Sequence, residues 1–219
     1  MAKKKNITSD AIISFYMDYV LAHGEHPKNV YSFAKENNFE EAQFYMFFSS
    51  FEVLEEEIFT IFGANTIELL SKSEEFETFD ARNKLLSFYF TFFEQLTANR
   101  SYVVHSLQSE KKPLQSLKRM KGLKHVFGAF VESLDVKTID LNQERLERFQ
   151  NKAIKETAWI QLLLTIKFWL DDTSKSFDKT DQYIEKSVNA SFDLIDNTPL
   201  KSIVDFGKFI FKEKLDIRS

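Results

Sequence analysis

The stretch GEHPKNVYSFAKENNFEEAQFYMFFSSFEVL, residues 24–54, decides the fold. Gly24 ends the helix before it, because glycine takes left-handed backbone at no steric cost. Pro27 then opens a second helix over roughly 28–37, and Asn37-Asn38 marks a turn. A third short helix covers roughly 40–48 before Ser49-Ser50 breaks it. Ser49 and Glu52 have the spacing of a capping box for a long helix over roughly 51–72. Val30, Phe33 and Ala34 share the inner face of the second helix. The small Ala34 lets the third helix cross closely. Phe44 and Phe48 lie four apart and pack that third helix down. Two short helices joined by a tight turn, after a longer first helix, form a helix-turn-helix pattern.

The pattern extends in both directions. Thr8, Ser9 and Asp10 offer N-caps to AIISFYMDYVLAHG, whose Ile12, Phe15, Tyr16, Tyr19 and Val20 recur at helical spacing. Beyond Lys72 the periodicity lapses through SEEFETFD. It resumes at roughly 80–98, 101–108 and, behind Pro113, 113–134. DVKTIDLN reads as a loop. A long helix covers roughly 142–170, and Asp178 can cap another over roughly 179–196. Thr198 and Pro199 open a last one over roughly 199–214. The sum is about ten helices and no convincing strand, an all-α chain.

Composition bounds the function. Of 219 residues, 43% are hydrophobic and 28% charged, an ordinary globular balance. Five glycines and three prolines leave little loop. A net charge of −4 gives no bulk electrostatic reason to bind nucleic acid or anionic lipid. The absence of cysteine removes disulfides, thiolate catalysis and thiolate metal sites. No run approaches the ~18 apolar residues of a membrane span. MAKKKNITSD has basic residues but no apolar core behind them, so it does not read as a secretory signal, and a cytoplasmic protein is expected. His23, His26, His105 and His125 lack metal spacing with a carboxylate partner, and no glycine-rich phosphate loop occurs. His23 and His26 flank a turn and read as solvated; Glu55, Glu56 and Glu57 read as a solvated face. No enzyme, cofactor or metal site is therefore expected. The unusual number is 24 phenylalanines, which must be buried or line an apolar site.

Gly24, Val30, Phe33-Ala34, Tyr45, Phe48, Ser50, Glu52 and Leu54 stand, without a gap, where the TetR family of bacterial repressors has its DNA-binding signature. The N-terminal region thus resembles that family's helix-turn-helix. The resemblance implies a DNA-binding-like domain over 1–54 and a helical ligand-binding and dimerisation domain over 55–219. It implies DNA contacts from Lys3, Lys4 and Lys5 as an arm, and from Lys28, Asn29, Gln43, Tyr45 and Ser50. It implies a cavity for a small apolar ligand, with Phe59, Phe62, Phe88, Phe92, Tyr102, Phe127, Phe130 and Trp159 as candidate lining. It also implies a homodimer through 155–196. TAWIQLLLTIKFWL, 157–170, is apolar on nearly every side and needs a partner surface.

Charge argues against DNA. The family's small polar and basic residues at the start of the recognition helix are Glu40 and Glu41 here, and its phosphate-contacting Lys is Phe51. Residues 24–60 hold two basic and eight acidic side chains, a balance of −6. Phosphate contacts supply most non-specific affinity. A second, weaker similarity fits that deficit. Trp169, Asp172, Ser174, Thr180, Glu185 and Lys186 are similar to the C-terminal segment of TetR-like lipid-binding proteins of ubiquinone biosynthesis. Asp172, Ser174 and Thr180 are equally suited to capping a helix hairpin. The alternative function is therefore a TetR-fold lipid or isoprenoid carrier without DNA binding, and a purely structural dimer is a third. PLKSIVDFGKFIFKEKL is amphipathic, either a lid over the core or a membrane contact.

Overall fold

The computed structural model describes residues 7–108, 117–134, 136 and 144–196. The Lys3–Lys5 arm, Pro113, nearly all of DVKTIDLN and the 199–214 helix lie outside them. Ten α-helices have both ends among the described residues: α1 Ser9–His23, α2 Val30–Glu36, α3 Glu41–Tyr45, α4 Phe51–Ser71, α5 Glu74–Thr78, α6 Ala81–Ala98, α7 Arg100–Gln108, α8 Lys121–Ser133, α9 Glu144–Asp171 and α10 Asp178–Asp196; residues 117–119 are helical too. A 3₁₀ turn, Lys175–Phe177, precedes α10. No strand occurs among the described residues, so the all-α expectation holds.

The chain forms two compact units. The first comprises Met1–Lys72 with Thr91–Phe127, the second Ser73–Phe90 with Gly128–Ser219. One division falls between α4 and α5, and the other two fall inside α6 and α8. The boundary expected at residue 54 falls inside α4, where the helix runs on unbroken.

In the first unit the helix limits follow local chemistry. Thr8 Oγ1 accepts from the Ala11 amide at the start of α1, and Gly24 closes it at φ 70°. The Asn29 side chain accepts from the Ser32 amide and starts α2. Asn38 takes φ 57°, the left-handed turn that Asn tolerates, and aims the chain into α3. Ser50, not the expected Ser49, caps α4, its hydroxyl accepting from the Val53 amide. Ile12, Tyr16, Val20, Phe33, Ala34, Phe44, Leu54, Ile58 and Phe59 fill the core. α4 and α8 approach closely: a Cβ on Gly122 would collide with the Thr60 hydroxyl, and one on Gly63 would stand 2.7 Å from Leu123 Cδ1.

The second unit contains an element that periodicity missed. Residues 74–78 form α5, with Phe76 buried as its single anchor and Lys84 Nζ 5.4 Å from the ring centroid. Phe88 stacks on Phe130 at 4.9 Å. α9 buries Ala158, Trp159, Leu162, Ile166 and Trp169, and α10 buries Ile184, Val188 and Phe192. Polar bonds set their register: Gln161 donates to Ser187 at 3.3 Å and accepts from Ser191 at 2.9 Å. Arg82 of α6 donates to Asp193 of α10 at 2.9 Å and lies over the Phe192 ring. The α9–α10 connection carries two successive left-handed residues, Ser176 and Phe177.

Candidate functional site

α2 and α3 are the two helices from which a reading face is expected. Phe44 and Phe48 are buried and hold α3 down, as their spacing predicts. Tyr31, Tyr45, Met46 and Phe47 remain exposed. Of the residues implied as DNA contacts, Lys28 is exposed. Asn29 and Ser50 are committed to helix caps. Gln43 Oε1 accepts from the Glu40 amide at 2.9 Å, so it closes a capping box at the start of α3. The Tyr45 hydroxyl donates to Glu41 at 3.4 Å across an exposed helix turn, a contact that solvent weakens.

Phe51 turns inward. Its ring lies 5.4 Å from Tyr16, 5.6 Å from Phe33 and 5.2 Å from Phe44. The ring thus extends the core. Such ring pairs contribute ~0.5–1.5 kcal/mol each beyond burial.

Behind this face lies a polar cluster that corrects one sequence expectation. Glu55 is not solvated but 4% exposed, and it pairs with Arg119, itself 8% exposed. Arg119 Nε donates to Glu55 Oε2 at 2.6 Å, and Nη1 donates to the Ser106 carbonyl at 2.8 Å. The Tyr16 hydroxyl donates to Glu55 Oε1 at 2.6 Å. His26 is exposed, as expected, and also brings Nδ1 within 2.7 Å of the Tyr16 oxygen and 3.2 Å of Glu55 Oε1. Burial, and then the Glu55 carboxylate, push the Tyr16 phenol far above its ordinary range, so it is a permanent donor. The Tyr102 and Ser106 hydroxyls are buried and have no hydrogen-bond partner among the described residues. Burial raises Tyr102 as well, with Glu55 adding to it. A signal for Glu55 was present: Leu54, Ile58, Phe59 and Phe62 place position 55 on the buried stripe of α4. Arg119 has no comparable sequence signal.

All eight aromatic residues proposed for a ligand cavity are buried. Phe59, Phe62, Phe92, Tyr102 and Phe127 belong to the first unit; Phe88, Phe130 and Trp159 belong to the second. Phe59 and Phe62 meet edge to face at 6.1 Å, and Phe88 and Phe130 stack.

On α9, Ile160, Leu164 and Phe168 form an exposed stripe at four-residue spacing, opposite the buried face. The helix is therefore half satisfied within its own chain, and the remaining apolar stripe is what a partner could cover. Phe168 stacks on Tyr183 at 4.6 Å. Next to it Asp172 closes the α9–α10 hairpin. Its carboxylate accepts from the Ser174 amide at 2.8 Å, the Thr180 amide at 3.0 Å and the Thr180 hydroxyl at 2.7 Å. Against the opposing cost of burial, these bonds hold its carboxyl down to about 2. Asp172, Ser174 and Thr180 thus act as hairpin caps, which accounts for their spacing without a lipid.

Among the described residues no group of three or more His, Asp or Glu could hold a metal ion, and no helix is long and apolar enough to cross a membrane. A family model described as the tetracyclin-repressor-like C-terminal domain matches residues 84–210. Among solved structures, the fatty acid degradation regulator FadR from Bacillus halodurans matches with a TM-score of 0.53 and 18% identity, over 87% of this chain and 96% of that one. No curated protein sequence matches the chain.

Proposed function

Since the chain belongs to the tetracyclin-repressor-like family through its C-terminal domain, we propose that it is a homodimeric regulator that contacts DNA through α2 and α3 and responds to a small apolar ligand. The family and the fold point to a regulator rather than an enzyme. The observation that carries the reading is the geometry of α1–α4. Two short helices turn at Asn38 on a buried aromatic core, and Tyr31, Tyr45 and Met46 stay exposed on the outer face. The ligand reading rests on the aromatic interiors of both units, and an apolar molecule that fits there acts on DNA-competent and incompetent states differently. The similar structure is named for fatty acid degradation, so a ligand with an acyl chain is the first class to test.

Selection from a random duplex pool at low salt tests the DNA claim. A working dimer enriches a palindrome whose half-sites lie about one helical turn apart. A pool that stays unenriched refutes it. In that event the second reading takes over, a lipid or isoprenoid carrier without DNA binding. Phe51 and the acidic face favour that second reading. With Glu55 neutralised by Arg119, seven acids and two lysines remain between residues 24 and 60, a balance of −5.

A further inference from the structure

We propose that Glu55 and Arg119 are positioning residues: their buried ion pair fixes how α1–α4 sit against α7 and the helical segment 117–119, and so sets the attitude of the reading face. The clamp concerns contacts inside the first unit and holds whether or not the face reads DNA; only its consequence for duplex binding rests on the regulator reading.

One carboxylate collects five chain segments. Tyr16 comes from α1, His26 from the α1–α2 connection and Glu55 from α4. Arg119 comes from the helical segment 117–119 that precedes α8 and ties in Ser106 of α7 through its carbonyl. Proton counting fixes the arrangement further. The single Tyr16 proton is committed to Glu55, so the short His26–Tyr16 contact requires the proton on His26 Nδ1. A slip of α1 or α4 therefore disturbs several of these bonds at once.

Stability alone does not account for such a pair. A buried ion pair costs so much desolvation that an apolar pair of similar volume often holds as well. What an apolar pair lacks is direction. The surrounding rings of Phe33, Phe44 and Phe51 meet edge to face, and such contacts tolerate small displacements. Bonds of 2.6–2.8 Å to Glu55 and Ser106 do not.

The chain has no cysteine, so introduced pairs label cleanly. Spin labels at Ala42→Cys and His125→Cys, both exposed and both in the first unit, report the distance from α3 to α8. With each doubly labelled protein diluted into excess unlabelled chain, so that label pairs lie within one protomer, the otherwise unchanged full-length chain is expected to give a single, narrow distribution. In the Glu55→Leu/Arg119→Met double variant the melting temperature should stay within a few degrees of that parent while the distribution widens at least twofold. Arg119→Lys keeps the charge but cannot reach Glu55 and Ser106 together, so it should widen the distribution too, and it serves if the double variant does not fold. A double variant, or failing that Arg119→Lys, with the parent width overturns the proposal. Retention of a random duplex pool at low salt is measured alongside. If the parent retains duplex, the widened variants should retain at least tenfold less, and equal retention overturns the link to the reading face. If the parent retains none, the regulator reading fails, while the distance widths still decide the clamp.

Discussion

Replacing Leu164 with glutamate tests the pairing of protomers. Ile160, Leu164 and Phe168 are 55%, 51% and 36% exposed on one face of α9. Burying a large aliphatic or aromatic side chain fully is worth ~1.5–3 kcal/mol, so the uncovered half of each offers ~1 kcal/mol. A twofold interface uses each stripe twice, which gives ~6 kcal/mol before the costs of association. Leu164→Glu removes ~2 kcal/mol of that from the two copies. It also places two carboxylates in the interface, and desolvating them without partners adds at least as much again. A loss of ~4 kcal/mol weakens dimerisation roughly 1,000-fold. Light scattering at micromolar concentration should give twice the 25.7 kDa chain mass for the unchanged protein and the single mass for the variant. Leu21→Glu, at an exposed apolar position of α1, should remain dimeric. Equal masses for the unchanged protein and Leu164→Glu would refute the α9 stripe as the interface.

Three further outcomes are expected. Gly122→Ala should cost ~1–3 kcal/mol through its clash with Thr60, and Thr60→Ala in the same chain should recover part of the loss in a thermal melt. Asp172→Asn should cost on the order of 1–2 kcal/mol, because an amide cannot accept all three bonds. The unchanged carboxyl, lowered from 3.8 to about 2, stabilises the fold above its unfolded pKa, and that contribution drains away as the pH falls through about 2. Acid melts of the asparagine variant should converge on those of the parent there, and parallel curves would contradict the assignment. If a duplex is selected, Tyr45→Ala should weaken its retention, and Lys28→Ala should lower the salt slope by up to ~0.9; unchanged binding in both would place the contact elsewhere.

Much of the fold is legible in the sequence because local chemistry sets it. Gly24 and Asn38 mark their turns by backbone preference, and Phe44 and Phe48 fall on a buried face by spacing alone. The miss at α4 was one residue, since Ser49 and Ser50 are equally good caps and only tertiary direction chooses Ser50. Helix α5 was missed because five residues carry a single apolar anchor, Phe76, too short for periodicity to register. The candidate site was less legible. Asn29, Gln43 and Ser50 carry polar groups that suit DNA or a helix end, and the structure spends them on helix ends. Glu55 was misread because a charge among neighbouring glutamates looks solvated until its stripe is traced. Its partner lies 64 positions away, and no local rule reaches that far.

Both tryptophans, Trp159 and Trp169, are buried in the second unit, on one helix. The first unit holds none. Intrinsic indole emission is therefore an optical label for half of the molecule, supplied by the chain itself. Far-ultraviolet dichroism, in contrast, reports every helix. A denaturant titration followed by both signals asks whether the molecule comes apart in one step or two. Coincident midpoints mean that α6 and α8, which run through both units, transmit unfolding from end to end. An emission change that precedes or trails the dichroism gives each half its own stability, without any mutation.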